Sequence, residues 1–290
     1  MKVSRVGIVA FIALISLIGT NCSYYYRVRS RQNLVDGAQA YKNRKFDQAE
    51  QLFRAAIDRD PNGETAEGKT AQVFLARTLH SQFIGNRSNQ AKAQEAIEGY
   101  QKVLENNPND QSSFKAVANL YENLNRNEEW LQWVTARATN ENVPPEQRAE
   151  AYTSLAAKQY SCANEISDVE PVKKTVVKEG KPAFEFTKPQ DPAAYQRLQQ
   201  CVQQGMEYAD KATELNPNSE SAWSYKANLL VQRMRIAEME GNTQLREQYK
   251  DEAEAARDKF TQLAEERKQK EAEEQARKKK AEEEAAANKK

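Results

Sequence analysis

The chain has 290 residues, with 43 Lys and Arg against 42 Asp and Glu and a formal net charge of +1. So even a balance leaves no basic footprint for a nucleic-acid backbone. Charged residues make up 29% and glycine occupies only 10 positions, a composition that suits a helical body with room for a large apolar core.

The chain opens with Lys2 and Arg5 ahead of a run from Val6 to Thr20 that is apolar apart from a serine and two glycines. That length fits the apolar region of a signal peptide better than a full membrane span. Cys22 follows Gly19-Thr20-Asn21, and the arrangement resembles a bacterial lipoprotein signal, in which the cysteine becomes the lipidated first residue after cleavage. Cys22 is therefore the lipidation candidate, although Asn21 stands where that pattern has a small residue and Gly19 where it has leucine. The rival is an uncleaved anchor over residues 1–26, with Tyr24, Tyr25 and Tyr26 as an aromatic belt at the interface. Basic residues lie on both sides of the run (Arg27, Arg29 and Arg31 after it), so charge leaves orientation open. A basic-then-apolar start is what secretion machinery reads, and it predicts export of the remainder to the periplasmic side.

A helical phrase then recurs. Ala49, Phe53, Ala56 and Pro61 are spaced A-x3-F-x2-A-x4-P. Ala96, Tyr100, Val103 and Pro108 repeat the spacing, and Gly205, Ala209, Ala212 and Pro217 repeat it with smaller residues. The first three residues of each phrase share one helical face. Small residues there let two helices cross closely, and the proline ends the helix and sets the turn. Upstream segments carry their own pattern: Phe114, Val117, Ala118 and Tyr121 match W-x2-L-G-x2-Y, and Tyr152, Leu155 and Ala156, then Trp223, Ala227 and Leu230, match it more loosely. Together these residues resemble the tetratricopeptide repeat, a helix-turn-helix unit of roughly 34 residues.

The resemblance implies an all-α fold, a right-handed α-solenoid of about five helix hairpins over residues 33–263. The first spans about 33–62, with Gly37 in a small slot. The second spans about 69–109, with Ile84–Asn89 as an enlarged turn. In the third, about 111–144, Trp130 stands where a small residue is expected. The fourth runs about 146–218 around an insertion, and the fifth, about 219–263, has no closing proline. One hairpin cannot bury its apolar face alone, so stacked neighbours must share a core.

Cys162 and Cys201 fall in the two helices of the fourth hairpin, whose ends meet in an antiparallel pair. They are the candidate disulfide, permitted by an oxidising compartment; the alternative is two buried thiols packing as small apolar groups. The insertion between them, 163–191, has a different grammar. Val176-Val177 and Phe184-x-Phe186 flank Lys178-Glu179-Gly180-Lys181-Pro182, which predicts a short β-hairpin. It serves either as a partner-specific arm or lid, or as a decorated surface loop. Residues 264–290 are almost wholly Glu, Lys, Arg, Gln and Ala. Pairs such as Glu266/Lys270 and Glu273/Arg277 have the favourable i,i+4 order without an apolar stripe. That predicts a solvated helix continuing from the last hairpin, or a disordered spacer.

Catalytic chemistry has little to stand on. His80 is the single histidine, with no neighbour at metal-ligand spacing. Neither phosphate loops nor a nucleophile elbow occur in the sequence. No cofactor, metal, nucleic acid or small-molecule substrate is expected. The resemblance instead implies a non-catalytic protein-interaction scaffold, tethered to the bacterial cell envelope. Its partner, a protein of the envelope, would lay a peptide or helix in the concave groove of the first helices. Lys115, Asn119 and Tyr225 are the groove candidates. Lys115 and Asn119 occupy places used elsewhere to clamp a carboxylate, but Glu150, Thr153 and Ser154 in the next hairpin supply no matching positive charge. The alternative is a structural subunit of an outer-membrane, pilus or secretion assembly, held by its convex face or through Trp130 and Trp133.

Overall fold

Each repeated phrase folds as a helix whose patterned residues turn inward. Ala49, Phe53 and Ala56 are all 0% exposed, and Ala96, Tyr100, Val103, Ala209 and Ala212 are buried likewise. The computed structural model describes residues 27–178 and 180–287. Among them the chain forms ten helices and one two-stranded antiparallel hairpin. In chain order these are α1 (27–42), α2 (Phe46–Ile57), α3 (Ala66–Gly85), α4 (Gln90–Asn106), α5 (Gln111–Asn123), α6 (Asn127–Thr139) and α7 (Pro145–Ser167). Then come β1 (Lys173–Lys178), β2 (Lys181–Phe186), α8 (Pro192–Leu215), α9 (Glu220–Met239) and α10 (Thr243–Ala287). Residues 1–26, expected to be a signal peptide or anchor and including the lipidation candidate Cys22, lie outside the described residues. Among those described, no helix is long and apolar enough to cross a membrane. The chain divides into two compact units, with the boundary between Trp130 and Leu131.

In the first unit the small residues set how closely helices approach. A Cβ built on Gly37 of α1 would lie 2.6 Å from Phe53 Cε1 of α2, and one on Gly99 of α4 would lie 3.0 Å from Ala76 Cβ of α3. Ala40, Ala49 and Phe53 form one core cluster, against which Leu34, Tyr41, Leu52, Phe74 and Leu75 pack. The proline turns are capped on their far side. Asp110 accepts the Ser113 amide at 2.7 Å to start α5, and Thr65 accepts the Gly68 amide at 3.1 Å to start α3, each supplying one of the orphan donors of a helix start. A carboxylate network braces the outer side: Glu50 of α2 accepts from Lys92 of α4 at 2.7 Å, from Arg54 and from Gln82 of α3. Burial pushes the Glu50 carboxyl up, but these three donors outweigh it and hold the group below its ordinary value.

One detail of this unit differs from expectation. The turn drawn at Ile84–Asn89 is shorter, because α3 continues through Gly85 and Asn89 already caps α4. Trp130, the large residue in a small slot, is only 4% exposed, so its side chain is accommodated by packing inward.

In the second unit α8 packs against α7 and α9, and α10 packs against α9. Gly205 of α8 is again a close approach, with Leu229 Cδ2 of α9 2.6 Å and Gln159 Cβ of α7 3.1 Å from where its Cβ would be. Ala156, Met206, Ala209, Ala227, Leu229, Leu230, Ala253 and Ala256 form the core. Residues 163–167, expected to open the insertion, are instead the last turn of α7. Ala163 and Ser167 are fully buried, and the Ser167 hydroxyl donates to Gln232 Oε1 of α9 at 2.8 Å, so packing carries the helix on. α10 is continuous through Ala287: Ala253, Ala256 and Leu263 are buried, Ala264 and Glu266 are half-buried, and from Arg267 on the residues are exposed as far as they are described.

The β-hairpin has Val177 opposite Pro182, Thr175 opposite Phe184 and Lys173 opposite Phe186. Its base is fixed to α9. The Phe186 amide donates to Glu238 Oε1 at 3.1 Å, and the Arg235 guanidinium lies 4.5 Å from the centre of the Phe186 ring. Its outer half carries Val177 and Phe184, 76% and 56% exposed.

Candidate interaction face

The first unit presents one open face made by α1, α3 and α5. Three cross-helix contacts assemble it. The Ser81 hydroxyl of α3 donates to its own helix at Arg77 O, so the Tyr41 hydroxyl of α1, 3.2 Å away, donates to Ser81 Oγ. Arg77 of α3 reaches Ser112 Oγ of α5 at 3.5 Å. The His80 ring shares a hydrogen bond with the Asn119 side chain of α5. These residues lie one and two helices apart in space although about 40 positions separate Tyr41 from Ser81.

At the turn end of this face is a depression of about 390 Å³ lined by Tyr41, Arg44, Phe46, Arg77, His80, Ser81, Ile84, Gly85 and Tyr100. Its floor is aromatic. The Tyr41 ring meets Phe46 and Phe74 edge-on, with centroids 5.5 and 6.1 Å apart. The rings of Tyr100 and His80 are also edge-on, with centroids 6.0 Å apart. Ile84 stands 44% exposed at the rim. Burial lowers the pKa of His80 and outweighs the support from Asn119, so the imidazole is neutral at pH 7. Burial likewise pushes the Tyr100 phenol well above its ordinary value. A neutral imidazole and a protonated phenol are hydrogen-bonding groups here. Ser81 and Tyr41 add hydroxyl groups to the same lining, and such groups fix the orientation of a bound molecule.

The candidates read from the sequence are placed as follows. Lys115 and Asn119 are exposed on α5 in the first unit, and Asn119 joins the face through His80. Asn119 also accepts from Asn123 Nδ2 at 2.8 Å. Tyr225 is on α9 in the second unit, half-buried in that unit's core and edge-on to Tyr160 with centroids 6.2 Å apart. That placement gives Tyr225 a packing role within α7–α9. Cys162 and Cys201 are joined, with Sγ atoms 2.03 Å and Cα atoms 6.1 Å apart. Both sit well inside their helices, over a turn from the ends. Among the described residues no three His, Cys, Asp or Glu side chains gather as a metal site. Arg44, Arg77 and Tyr41 were missed by sequence reasoning. The available signal for Tyr41 was its place four residues after the small-slot residue Gly37, and for Arg77 its place next to Ala76, which packs on Gly99.

No family model matches the chain, and no curated protein matches it in sequence. Among solved structures it is similar to the MamA protein, at 14% identity over 83% of this chain and 94% of that one with a TM-score of 0.44. PilF of Pseudomonas aeruginosa is similar at 14% identity over 83% and 99%, with a TM-score of 0.39. YrrB, described as a tetratricopeptide protein with an unusual peptide-binding site, is similar at 13% over 86% and 97%, with a TM-score of 0.40. These superpositions are loose, and the architecture stands on the contacts given above. Small residues at the helix crossings, aromatic or aliphatic residues one turn on and capped proline turns make each unit an array of tetratricopeptide-type helix hairpins.

Proposed function

We propose that the protein is a non-catalytic interaction scaffold that holds a segment of a partner protein, a peptide or a helix, on the α1–α3–α5 face. The observation that carries this reading is the convergence of Tyr41, Arg77, His80, Ser81 and Ile84 on one open depression floored by aromatic rings. Aromatic and arginine side chains on a rigid helical frame are the groups that dominate protein interfaces. We further propose that the leader tethers the scaffold to the cell envelope, with the hairpins on the exported side. The disulfide between Cys162 and Cys201 suits an oxidising compartment.

Two measurements test the proposal. A photoreactive amino acid at Ser81 or Ile84 should give discrete crosslinked species in intact cells, whereas Gln51 or Glu105, exposed on α2 and α4, should give none. Crosslinks of equal strength from both sets would refute the face. Metabolic labelling with a fatty acid should mark the wild-type chain and fail to mark Cys22→Ala. An unlabelled wild type would assign the tether to an uncleaved helix instead.

A further inference from the structure

Three helix-to-helix turns end in the same backbone form. At each, one residue has positive φ and two successive amides turn back to the preceding helix. At α1–α2 the residue is Arg44 (φ 59°), with Arg44 N donating to Tyr41 O and Lys45 N to Ala40 O. At α5–α6 it is Asn125 (φ 56°), with Asn125 N to Glu122 O and Arg126 N to Tyr121 O. At α9–α10 it is Gly241 (φ 71°), with Gly241 N to Glu238 O and Asn242 N to Ala237 O. Glycine and asparagine are what this left-handed closing position favours. A bulky side chain there costs about 1–2 kcal/mol. At the first turn alone the position holds an arginine.

That arginine lines the depression of the interaction face, as Arg77 does. Among the described residues no carboxylate lines the depression. Arg44 is exposed, and no carboxylate among the described residues pairs with it. Asp47 Oδ1 accepts from Gln82 Nε2 at 2.8 Å, and Asp110 caps α5. Arg77 leans over the Phe74 ring at 5.6 Å. The Arg77 charge helps to hold the Asp110 carboxyl below its ordinary value, so Asp110 offsets one of the two guanidinium groups, and Arg44 is left over the aromatic floor to complement an anion carried beside an apolar group. Strain kept at a side chain that the fold does not need is a mark of function.

We infer that Arg44 and Arg77 recognise an acidic peptide segment of the partner, pairing with an Asp or Glu carboxylate while a neighbouring apolar side chain lies on Tyr41, Phe46 and Ile84. This rests on the scaffold reading and names the chemistry of its partner.

The test is selection of a random peptide library on the full-length chain in detergent, followed by affinity measurements on the selected peptides. Selected peptides should be enriched in Asp or Glu next to Leu or Phe. Replacing the acid by Asn or Gln should weaken binding at least tenfold. Arg44→Gly should weaken it by a similar factor while leaving the melting temperature unchanged or higher, since glycine relieves the left-handed strain; Arg77→Lys, which keeps the charge but loses the planar fork, should fall between. Peptides that bind without acidic enrichment, or that bind Arg44→Gly as tightly as wild type, overturn the inference and leave the scaffold reading standing. Failure to select any peptide that competes with a label at Ile84 overturns both.

Discussion

Gly37 and Phe53 touch so closely that no side chain fits between them: a Cβ on Gly37 would lie 2.6 Å from Cε1 and 2.9 Å from Cδ1 of the Phe53 ring. The ring cannot retreat. It is fully buried and stacked on Phe74 at 5.5 Å. Glycine to alanine in a helix ordinarily stabilises by about 0.5–1 kcal/mol, so two effects of opposite sign compete. Overpacking of about 1–3 kcal/mol wins here. Gly37→Ala should therefore lower the urea midpoint. Gly85→Ala, at the end of α3 with nothing within 4 Å, should leave it unchanged or raise it. Equal shifts in both variants would contradict the close crossing.

The turn between α2 and α3 is organised by one carboxylate. Asp60 accepts from the Glu64 amide at 2.9 Å, the Thr65 amide at 2.8 Å and the Thr65 hydroxyl at 2.6 Å. Burial pushes its pKa up, yet the bonds from Thr65, Glu64 and Gly63 outweigh burial and hold it below the ordinary value. Because the folded value is the depressed one, the carboxylate's stabilisation is present above the unfolded value. It is lost as pH falls through the folded value. Asp60→Asn should cost roughly 1.5–3 kcal/mol at neutral pH, the range of hydrogen bonds to a charged group. The gap between wild type and variant in urea midpoint should close as the solution is acidified. A gap independent of pH would sink this account of the turn.

How far the sequence reached can be traced residue by residue. Ala49, Phe53 and Ala56 were legible because a period of 3.6 and a terminal proline are local signals. So was the hairpin, from Val176, Val177 and Phe184 around Gly180. The end of α7 was not legible, since Ser167 is held helical by Gln232, 65 positions away. The depression was not legible either: it forms only when Tyr41, Arg77 and Tyr100 from three helices meet. Arg44 carried no signal, because glycine or asparagine, not arginine, is what marks such a turn. Tyr225 packs partly against the core of its unit, and an aromatic at a first-helix position serves packing and recognition alike, so the sequence alone did not separate the two.

The bond between Cys162 and Cys201 closes a separation of 39 residues around the β-hairpin. In the chain-entropy treatment a loop of this length contributes about 4 kcal/mol. The double variant Cys162→Ala with Cys201→Ala should lower stability by about 2–4 kcal/mol. In denaturant without reductant, a thiol reagent should label neither residue in the wild type. Labelling of both would leave two free thiols and no bridge.

From Arg267 on, α10 is a solvated helix laced by pairs such as Arg267–Glu271 at 2.9 Å and Lys278–Glu274 at 2.6 Å. Exposed pairs of this kind contribute only tenths of a kcal/mol each. Removing residues 270–290 should reduce the far-ultraviolet helix signal and leave the urea midpoint within about 0.5 kcal/mol of wild type. The pair Arg267–Glu220 at 2.7 Å stays intact in that truncation. A large loss of stability would mean that the tail packs on the second unit.

Amide hydrogen exchange on the full chain, with and without the partner isolated by crosslinking at Ile84, tests the interaction face most directly. Bound partner should slow exchange in α3 and α5 around Arg77, His80, Ile84 and Asn119, and leave the outer helices α2 and α4 unchanged. Slowing confined to α2 and α4, or to the β-hairpin between Lys173 and Phe186, would contradict the assignment of this face.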